Sequence, residues 1–464
     1  MPPATATTFR SLALSPTTLD NLDRLGYAEM TPIQAASLPP ALLGKDLIAQ
    51  AETGSGKTAA FALALLANLN ARRFAVQALV LCPTRELADQ VTTEIRRLAR
   101  ADDNIKVVTL SGGVPLRGQS ASLAHGAHVV VGTPGRVMDH LDRGHLQLEA
   151  LNTLVLDEAD RMLDMGFVDD IAKVARQCPP QRQTLLFSAT YPEGIAKLAG
   201  QFMRDPVTVR VAAERGGEQI EQRWYEVRES ERLPTVARLL AHFRPASALA
   251  FCNTKARCRE LATLLQAQGI SAAALHGDLE QRDRDQVLVR FANGSCLVLV
   301  ATDVAARGLD ITGLAAVINV DVTPDPEVHV HRIGRTGRAG STGLALSLAS
   351  LDEMGAVGRI EQLQGRESVW HDPAELAPAP GGRQLPAMAT LHLQAGRKDK
   401  IRPGDILGAL TADLGYAREQ IGKIDINEFA TYVAVAREIA PEAVARLNQG
   451  RVKGRSVRAR LLGD

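Results

Sequence analysis

Residues 46–69 read DLIAQAETGSGKTAAFALALLANL. A short apolar run of strand length comes first, then a turn of small residues closing on Lys57-Thr58, then an unbroken apolar stretch of helical length. This strand–loop–helix order is the context in which a P-loop is credible, although Ala51 stands where the pattern usually has its first glycine. In the loop Ala51, Glu52, Thr53, Gly54, Ser55 and Gly56, small residues let successive backbone N–H groups wrap phosphate oxygens at a helix start. Lys57 is then placed to reach the β- and γ-phosphates, and the Thr58 hydroxyl to ligate Mg²⁺. A glycine-rich turn that happens to carry a lysine is the competing reading.

Working outward, Asp157-Glu158 closes the apolar run TLVL (153–156). In a parallel sheet that puts two carboxylates at the same edge as the P-loop. Asp157 is expected to hold Mg²⁺, and Glu158 to orient and polarise the attacking water of a phosphoryl transfer. Similar runs recur: DLIAQ (46–50), ALVLCP (78–83), KVVTLSG (106–112), HVVVGTP (128–134) and TLLFSAT (184–190), then ALAFCN (248–253), SAAALHG (271–277), CLVLVATD (296–303), AAVINVD (315–321) and GLALSL (343–348). They are apolar almost throughout and alternate with amphipathic stretches, the pattern of parallel strands buried on both faces. The polar segment 209–227 between the two groups reads as a hinge. The stretch HDPAELAPAPGGRQLPAMA (371–389) reads as a semi-flexible linker before a compact tail.

The 464 residues exceed what one core usually covers, and 45% hydrophobic with 23% charged residues is ordinary for a globular protein. No segment stays apolar long enough to cross a bilayer and the start carries no targeting pattern, so a cytoplasmic protein without membrane partners is expected. The five cysteines are scattered, with no C-x-x-C pair, which argues against a zinc or disulfide framework. A net charge of +1 hides a local run, Arg451, Lys453, Arg455, Arg458 and Arg460, that contains no acid.

The order P-loop, PTREL (83–87), GG (112–113), TPGR (133–136), DEAD (157–160), SAT (188–190), ARGLD (306–310) and HRIGRTGR (331–338) resembles the DEAD-box RNA helicase family over residues 9–350. The resemblance implies two RecA-like parallel-sheet domains in tandem, an α/β fold, at 1–210 and 211–370. It also assigns residues. Phe9, Gly26-Tyr27 and Thr31-Pro32-Ile33-Gln34 match the family's Q motif, which implies that the Gln34 amide pairs with adenine and that the nucleotide is ATP. Arg335 and Arg338, on a domain with no P-loop of its own, are the arginine fingers. Asp310 contacts the ribose. Arg307, His331, Ser188 and Thr190 couple the ATP site to the nucleic-acid surface.

The remaining motifs are turns: Thr84 and Arg85, Gly113, Thr133-Pro134-Gly135-Arg136, His276-Gly277-Asp278 and Thr302. Hydroxyls, backbone N–H groups and guanidinium groups suit phosphates and 2′-hydroxyls rather than base edges. With 4% aromatic residues a stacking groove is disfavoured. Residues 390–464 run strand, helix, strand, strand, helix, strand, the order of a small α+β RNA-recognition-like domain, with Tyr432 and His392 as its sheet aromatics. RPGDILGAL, IGKI and VRARLLG are similar to the C-terminal domain of the DbpA helicases. That likeness implies a hairpin of 23S rRNA in the pre-ribosomal large subunit as partner, with Arg451, Lys453 and Arg455 among the contacts; a solvated basic edge strand is the other reading. The expected activity is ATP-dependent local unwinding of short RNA duplexes. An ATP-gated RNA clamp and a DNA helicase are the alternatives.

Overall fold

The computed structural model describes residues 8–463 apart from positions 53, 102–103, 192, 212–219, 307–312, 338–341 and 377–383. Of the expected site residues, Thr53, Arg307, Asp310 and Arg338 therefore lie outside the described residues. The described chain falls into two compact units, residues 8–211 and 220–463.

In the first unit the strands are β1 (Leu47–Gln50), β2 (Ala78–Leu81), β3 (Val107–Leu110), β4 (Val129–Gly132), β5 (Thr153–Leu156), β6 (Gln183–Ser188) and β7 (Val207–Arg210). They form one parallel sheet in the order β3-β4-β2-β5-β6-β1-β7. Val80 of β2 sits level with Val131 of β4 and Val155 of β5, and all three are fully buried. Helices cover both faces, so neither side of these strands needs polar residues. The helix Lys57–Ala67 is buried almost all round, which explains its lack of a polar stripe. By contrast the helix Arg85–Leu98 buries Leu87, Ala88, Val91, Ile95 and Leu98 at helical spacing and turns its charges outward.

The second unit repeats the arrangement with β8 (Ile220–Glu226), β9 (Ala248–Phe251), β10 (Ala272–Leu275), β11 (Val298–Ala301), β12 (Ala316–Asn319), β13 (Gly343–Ala349) and β14 (Trp370–His371). Their order, β10-β11-β9-β12-β13-β8-β14, is the first sheet's order moved along by seven strands. The hinge expected over 209–227 needs correction. Residues 209–210 end β7, and IEQRWYE is the strand β8, paired in parallel with β13 along its whole length. It escapes the apolar-run criterion because it lies next to the short edge strand β14, where only Trp224 and Tyr225 are deeply buried.

The tail carries an antiparallel sheet of β15 (Met388–Leu393), β16 (Ile421–Ile426), β17 (Thr431–Ala436) and β18 (Ala459–Leu462) in the order β16-β17-β15-β18. Ala389, Leu391 and Leu393 of β15 and Val433 and Val435 of β17 face two helices and form its core. The alternate residues, Thr390, His392 and Tyr432, lie on the other face.

His329 in the second unit has 1% exposure and stacks on Trp224 with ring centroids 5.3 Å apart. Neither ring nitrogen has a hydrogen-bond partner. Burial, followed by Arg332 and Arg366, pushes its pKa down to about 3. The unfolded chain binds this proton near pH 6.5 and the folded chain does not, so stability falls as pH drops below 6.5. His329→Phe should remove about 2 kcal/mol of the stability lost between pH 7 and pH 5. Urea denaturation at both pH values tests this; an unchanged pH dependence would refute it.

Candidate active site and nucleic-acid surface

The P-loop is shaped by two left-handed glycines, Gly54 at φ 83° and Gly56 at φ 96°. Gly56 is constrained twice over, since a Cβ there would stand 2.5 Å from Gln34 Nε2 and 2.9 Å from Thr31 Oγ1. Gln34, 2% exposed, donates from Nε2 to the Gly56 carbonyl at 3.1 Å and accepts from the Thr31 backbone at 2.9 Å. The Q motif and the P-loop are thus one hydrogen-bonded body. Phe9 and Tyr27 meet edge to face at 6.0 Å beside it. Phe9 is 3% exposed in the core cluster, and Tyr27 donates to Glu94 at 2.5 Å with Arg97 over its ring. Ser55 Oγ closes the loop onto the Glu52 carbonyl at 2.7 Å. Thr58 sits half-buried in the first helical turn.

Lys57 is buried and donates to the Ala51 carbonyl at 2.6 Å. Burial lowers its pKa against the pull of Asp157, Glu158 and Asp160. Asp157 is 3% exposed; burial and then Glu158 raise its pKa to about 7, with Lys57 opposing. Glu158 adopts a left-handed conformation, φ 52°, which is strained for a residue with a side chain. Its carboxylate accepts from Arg161 at 2.7 Å.

Sequence reading passed over Asp160, the last letter of the DEAD tetrapeptide. Its Oδ2 accepts from the Ala189 backbone at 3.1 Å, the Thr190 backbone at 2.9 Å and the Thr190 hydroxyl at 3.0 Å. Its own N–H points at Ser188 Oγ, 3.3 Å away. Burial alone would raise this carboxyl, but the Thr190 bonds, together with Lys57, outweigh it and hold Asp160 below the ordinary range. Ser188 and Thr190 are therefore joined to the tetrapeptide through Asp160. The signal was its place as the last acid of the tetrapeptide, in the first turn of the helix that follows Glu158.

Strand order sorts the turns along the edge. The Gly113 turn, the Thr133–Arg136 turn and the Thr84-Arg85 turn follow β3, β4 and β2, three neighbours. Tetrapeptide, SAT and P-loop follow β5, β6 and β1, the next three. One half of the edge carries the expected nucleic-acid turns and the other the nucleotide turns, and β2 beside β5 is where they meet. Thr84 Oγ1 caps the helix Arg85–Leu98 by accepting from Leu87, and Thr133 and Pro134 open the helix Pro134–Asp142. Two helix N-termini consequently face this half, a favourable setting for phosphates. Arg136 is braced to the Gly113 turn, donating to the Val114 carbonyl and to Gln119 Oε1, both at 2.9 Å. Arg85 lies 3.7 Å from Asp89, and Gly135 has open space around its Cα.

In the second unit the His276–Asp278 turn and Thr302 follow the neighbouring strands β10 and β11. His276, 4% exposed, accepts from Arg259 at 3.1 Å, and Asp278 pairs with Lys255 at 2.5 Å and Arg259 at 2.6 Å. Thr302 is buried and Gly277 lies against Lys255. No glycine-rich loop follows β8, which runs instead into the helix Arg232–Phe243. Arg335 is 6% exposed, so it does not sit on an open basic loop, and its carbonyl accepts from Leu314. His331, at the end of the helix Pro326–Ile333, is half-buried. Its neighbour Arg332, which sequence reading did not single out, grips Asp303 with two bonds of 2.7 Å and also reaches the Asp321 carbonyl and Asn253.

On the tail, His392 and Tyr432 lie 5.1 Å apart but are 8% and 7% exposed. Thr390 beside them is fully buried, bonded to Ser295 at 2.6 Å and to Asn293 at 3.3 Å. Arg290 donates to the Gly463 carbonyl at 3.3 Å, while Arg282 and Asp285 lie close enough to act on His392 and Tyr432. The sheet face that stacks bases in RNA-recognition folds is here set against residues 282–295 of the parallel-sheet domain. Arg451, Lys453 and Arg455 are exposed; Lys453 pairs with Asp405 at 3.0 Å and Arg455 with Asp399 at 3.5 Å.

Three family models match: "DEAD/DEAH box helicase" over residues 31–198, "Helicase conserved C-terminal domain" over 231–340 and "DbpA RNA binding domain" over 390–461. The ATP-dependent RNA helicase DbpA of Escherichia coli is 52% identical over 461 residues, covering 98% of this chain and 100% of that protein. The DEAD-box helicase CshA of Geobacillus kaustophilus is 46% identical, over 83% of this chain and 82% of its own. Among solved structures, Saccharomyces cerevisiae Dbp5 bound to RNA and ADP BeF3 superposes with a TM-score of 0.72 at 31% identity, covering 79% of this chain and 96% of that one. With the P-loop, the Asp157–Asp160 tetrapeptide and the paired parallel sheets in place, the chain belongs to the DEAD-box ATP-dependent RNA helicases, in the DbpA group.

Proposed function

We propose that this helicase locally unwinds short RNA duplexes during assembly of the large ribosomal subunit, acting in the cytoplasm and directed by its tail to a hairpin of 23S rRNA. The observation that carries the coupling is Asp160, whose carboxylate accepts from Thr190 and whose backbone N–H reaches Ser188 Oγ, beside the boundary between the two halves of the edge. A shift at the phosphates is passed to the neighbouring turns through one buried group.

In this reading Lys57 leaves the Ala51 carbonyl to bind the β- and γ-phosphates, and Gln34 meets the adenine edge while holding Gly56. Glu158 orients the attacking water. Arg335 and Arg338, with Asp310 at the ribose, complete the site from the second unit, so hydrolysis to ADP and phosphate requires the units to close. Mg²⁺ fits the residues present. Asp157 is a buried carboxylate with a raised pKa beside Glu158, a pair relieved by a cation, and Thr58 stands in the first turn of the adjoining helix. Mg²⁺ normally takes one or two carboxylates and leaves its other positions to phosphates and water, and would supply charge neutralisation on the phosphates. The turns at Thr84, Arg85, Gly113, Thr133–Arg136, His276–Asp278 and Thr302 grip an RNA backbone without reading bases, with Arg307 and His331 relaying closure. Support for an RNA-bound, nucleotide-bound state comes from Dbp5, whose structure holds both RNA and ADP BeF3.

Arg335→Ala should lower RNA-stimulated turnover by about 10³-fold or more with ATP binding retained; ATPase rates beside nucleotide titrations decide it, and a wild-type rate rejects the finger role. Removing residues 390–464 should reduce stimulation by a 23S rRNA fragment to the level given by poly-RNA. Equal stimulation by both RNAs in the full chain would sink the rRNA address. In a strand-displacement assay a short duplex beside that hairpin should be separated; RNA held without separation would identify a clamp instead.

A further inference from the structure

With His392 and Tyr432 covered, the tail needs another surface if it is to hold unpaired RNA. The turn between β16 and β17 supplies an exposed ring, Phe429, which is 63% exposed and takes no part in the tail's core. Lys398 Nζ lies over that ring, 4.1 Å from its centre. A lone exposed phenylalanine is ordinary; this one stands on a fixed turn and has a lysine over its ring.

The fixing comes from a crossing of two backbones. Gly396 approaches the turn so closely that a Cβ would stand 2.5 Å from the Asn427 carbonyl and 2.6 Å from that of Glu428. Arg397 N–H donates to the Asn427 carbonyl at 2.9 Å, Lys398 N–H to that of Glu428 at 3.0 Å, and Asn427 N–H to the Ala430 carbonyl at 2.8 Å. Arg397 Nε adds a bond to the Ile426 carbonyl at 2.9 Å. The turn is therefore preorganised, and a ligand meeting Phe429 need not order it.

The cations converge from two segments. Arg397, Lys398 and Lys400 are exposed on the first, and Lys453 reaches across from the second to the Lys400 carbonyl at 2.7 Å. Arg455 follows alongside Asp399. Acids are interleaved, but their pairs are on the surface: Lys398 meets Glu428 at 2.8 Å with both side chains more than half exposed. Such pairs contribute little and give way readily to phosphates, whose contacts release counterions. An exposed aromatic ring with Lys398 over it and further cations on the same two segments suits single-stranded nucleic acid rather than an apolar partner.

We propose that Phe429 stacks an unpaired nucleobase of the RNA held by the tail, with Lys398 and the neighbouring cations on the flanking phosphates, so that the tail binds RNA through its β16–β17 turn and not through its sheet face. This rests on the tail's role as an RNA address proposed above. The test uses the full-length chain, with a labelled 23S rRNA hairpin carrying an unpaired loop as probe. Phe429→Ala and Phe429→Leu should weaken binding roughly 5- to 100-fold, the range for loss of one stacked aromatic, while Phe429→Trp binds as the parent does. Thermal melting should be unchanged in all three, because the ring is exposed, and Phe429→Leu separates lost stacking from lost apolar volume. Parental affinity in Phe429→Ala overturns the proposal, as does a Phe429→Trp chain as weak as Phe429→Ala. A hairpin preference that depends on residues 390–464 yet survives Phe429→Ala overturns the stacking alone. A preference unaffected by removing those residues overturns the address.

Discussion

Parallel pairing is the constraint from which the rest of the molecule follows. In a parallel ladder every strand of a sheet ends at the same edge and each return runs through a covering helix. The turns after β1 to β6 must therefore line one edge, and the order β3-β4-β2-β5-β6-β1 alone determines which turns are neighbours. The tetrapeptide and the SAT turn lie about thirty residues apart and the P-loop about a hundred residues before them, and all three still meet because β1, β6 and β5 are adjacent. The second sheet obeys the same order but places no glycine-rich loop after β8, so it has the scaffold without the phosphate cradle.

Buried charge is handled in two ways on this scaffold. Arg232 and Arg332 are almost completely buried and fully engaged: Arg232 with the Val320 carbonyl and Glu353, Arg332 with Asp303, the Asp321 carbonyl and Asn253. Removing one partner from such a network leaves an uncompensated charge in low dielectric, so these are structural ties between strand ends. Asp157 contrasts with them. Buried beside Glu158, it has a pKa near 7, whereas Asp160 one turn on is held low by three donors. Two carboxyls three residues apart, at a strand end and in the following helix, driven in opposite directions fit a site of chemistry.

The tail puts a familiar fold to a different use. Its sheet buries one face on its own helices, as any such sheet must, and the other against residues 282–295 through Thr390, Asn293 and Ser295. Docking by the sheet face ties the tail to the second parallel-sheet domain and leaves turns and basic strand ends as its outward surface. Whatever RNA the tail holds is then carried with that domain.

Much of this was legible without coordinates. The apolar runs marked nearly every buried strand because both faces of a parallel sheet exclude water, and the P-loop and tetrapeptide announced themselves because their chemistry depends on residues within eight positions of one another. What escaped was long-range. The segment of β8 reads as a hinge because its burial comes from β13 and β14 and not from its own composition. Asp160 stands in a motif and Arg332 beside one, but their roles were hidden, since their partners, Thr190 and Asp303, are about thirty residues away. His392 and Tyr432 stand where stacking aromatics belong, and only the packing of a distant helix against them removed that role. By itself the sequence marked nearly all the buried strands and pointed to the turns proposed to carry phosphate chemistry, because those depend on local residue type and period. Tertiary structure alone decided which turns are neighbours, which carboxylate binds which loop and which aromatic faces remain open to solvent, because burial and hydrogen bonding are properties of contacts and not of spacing.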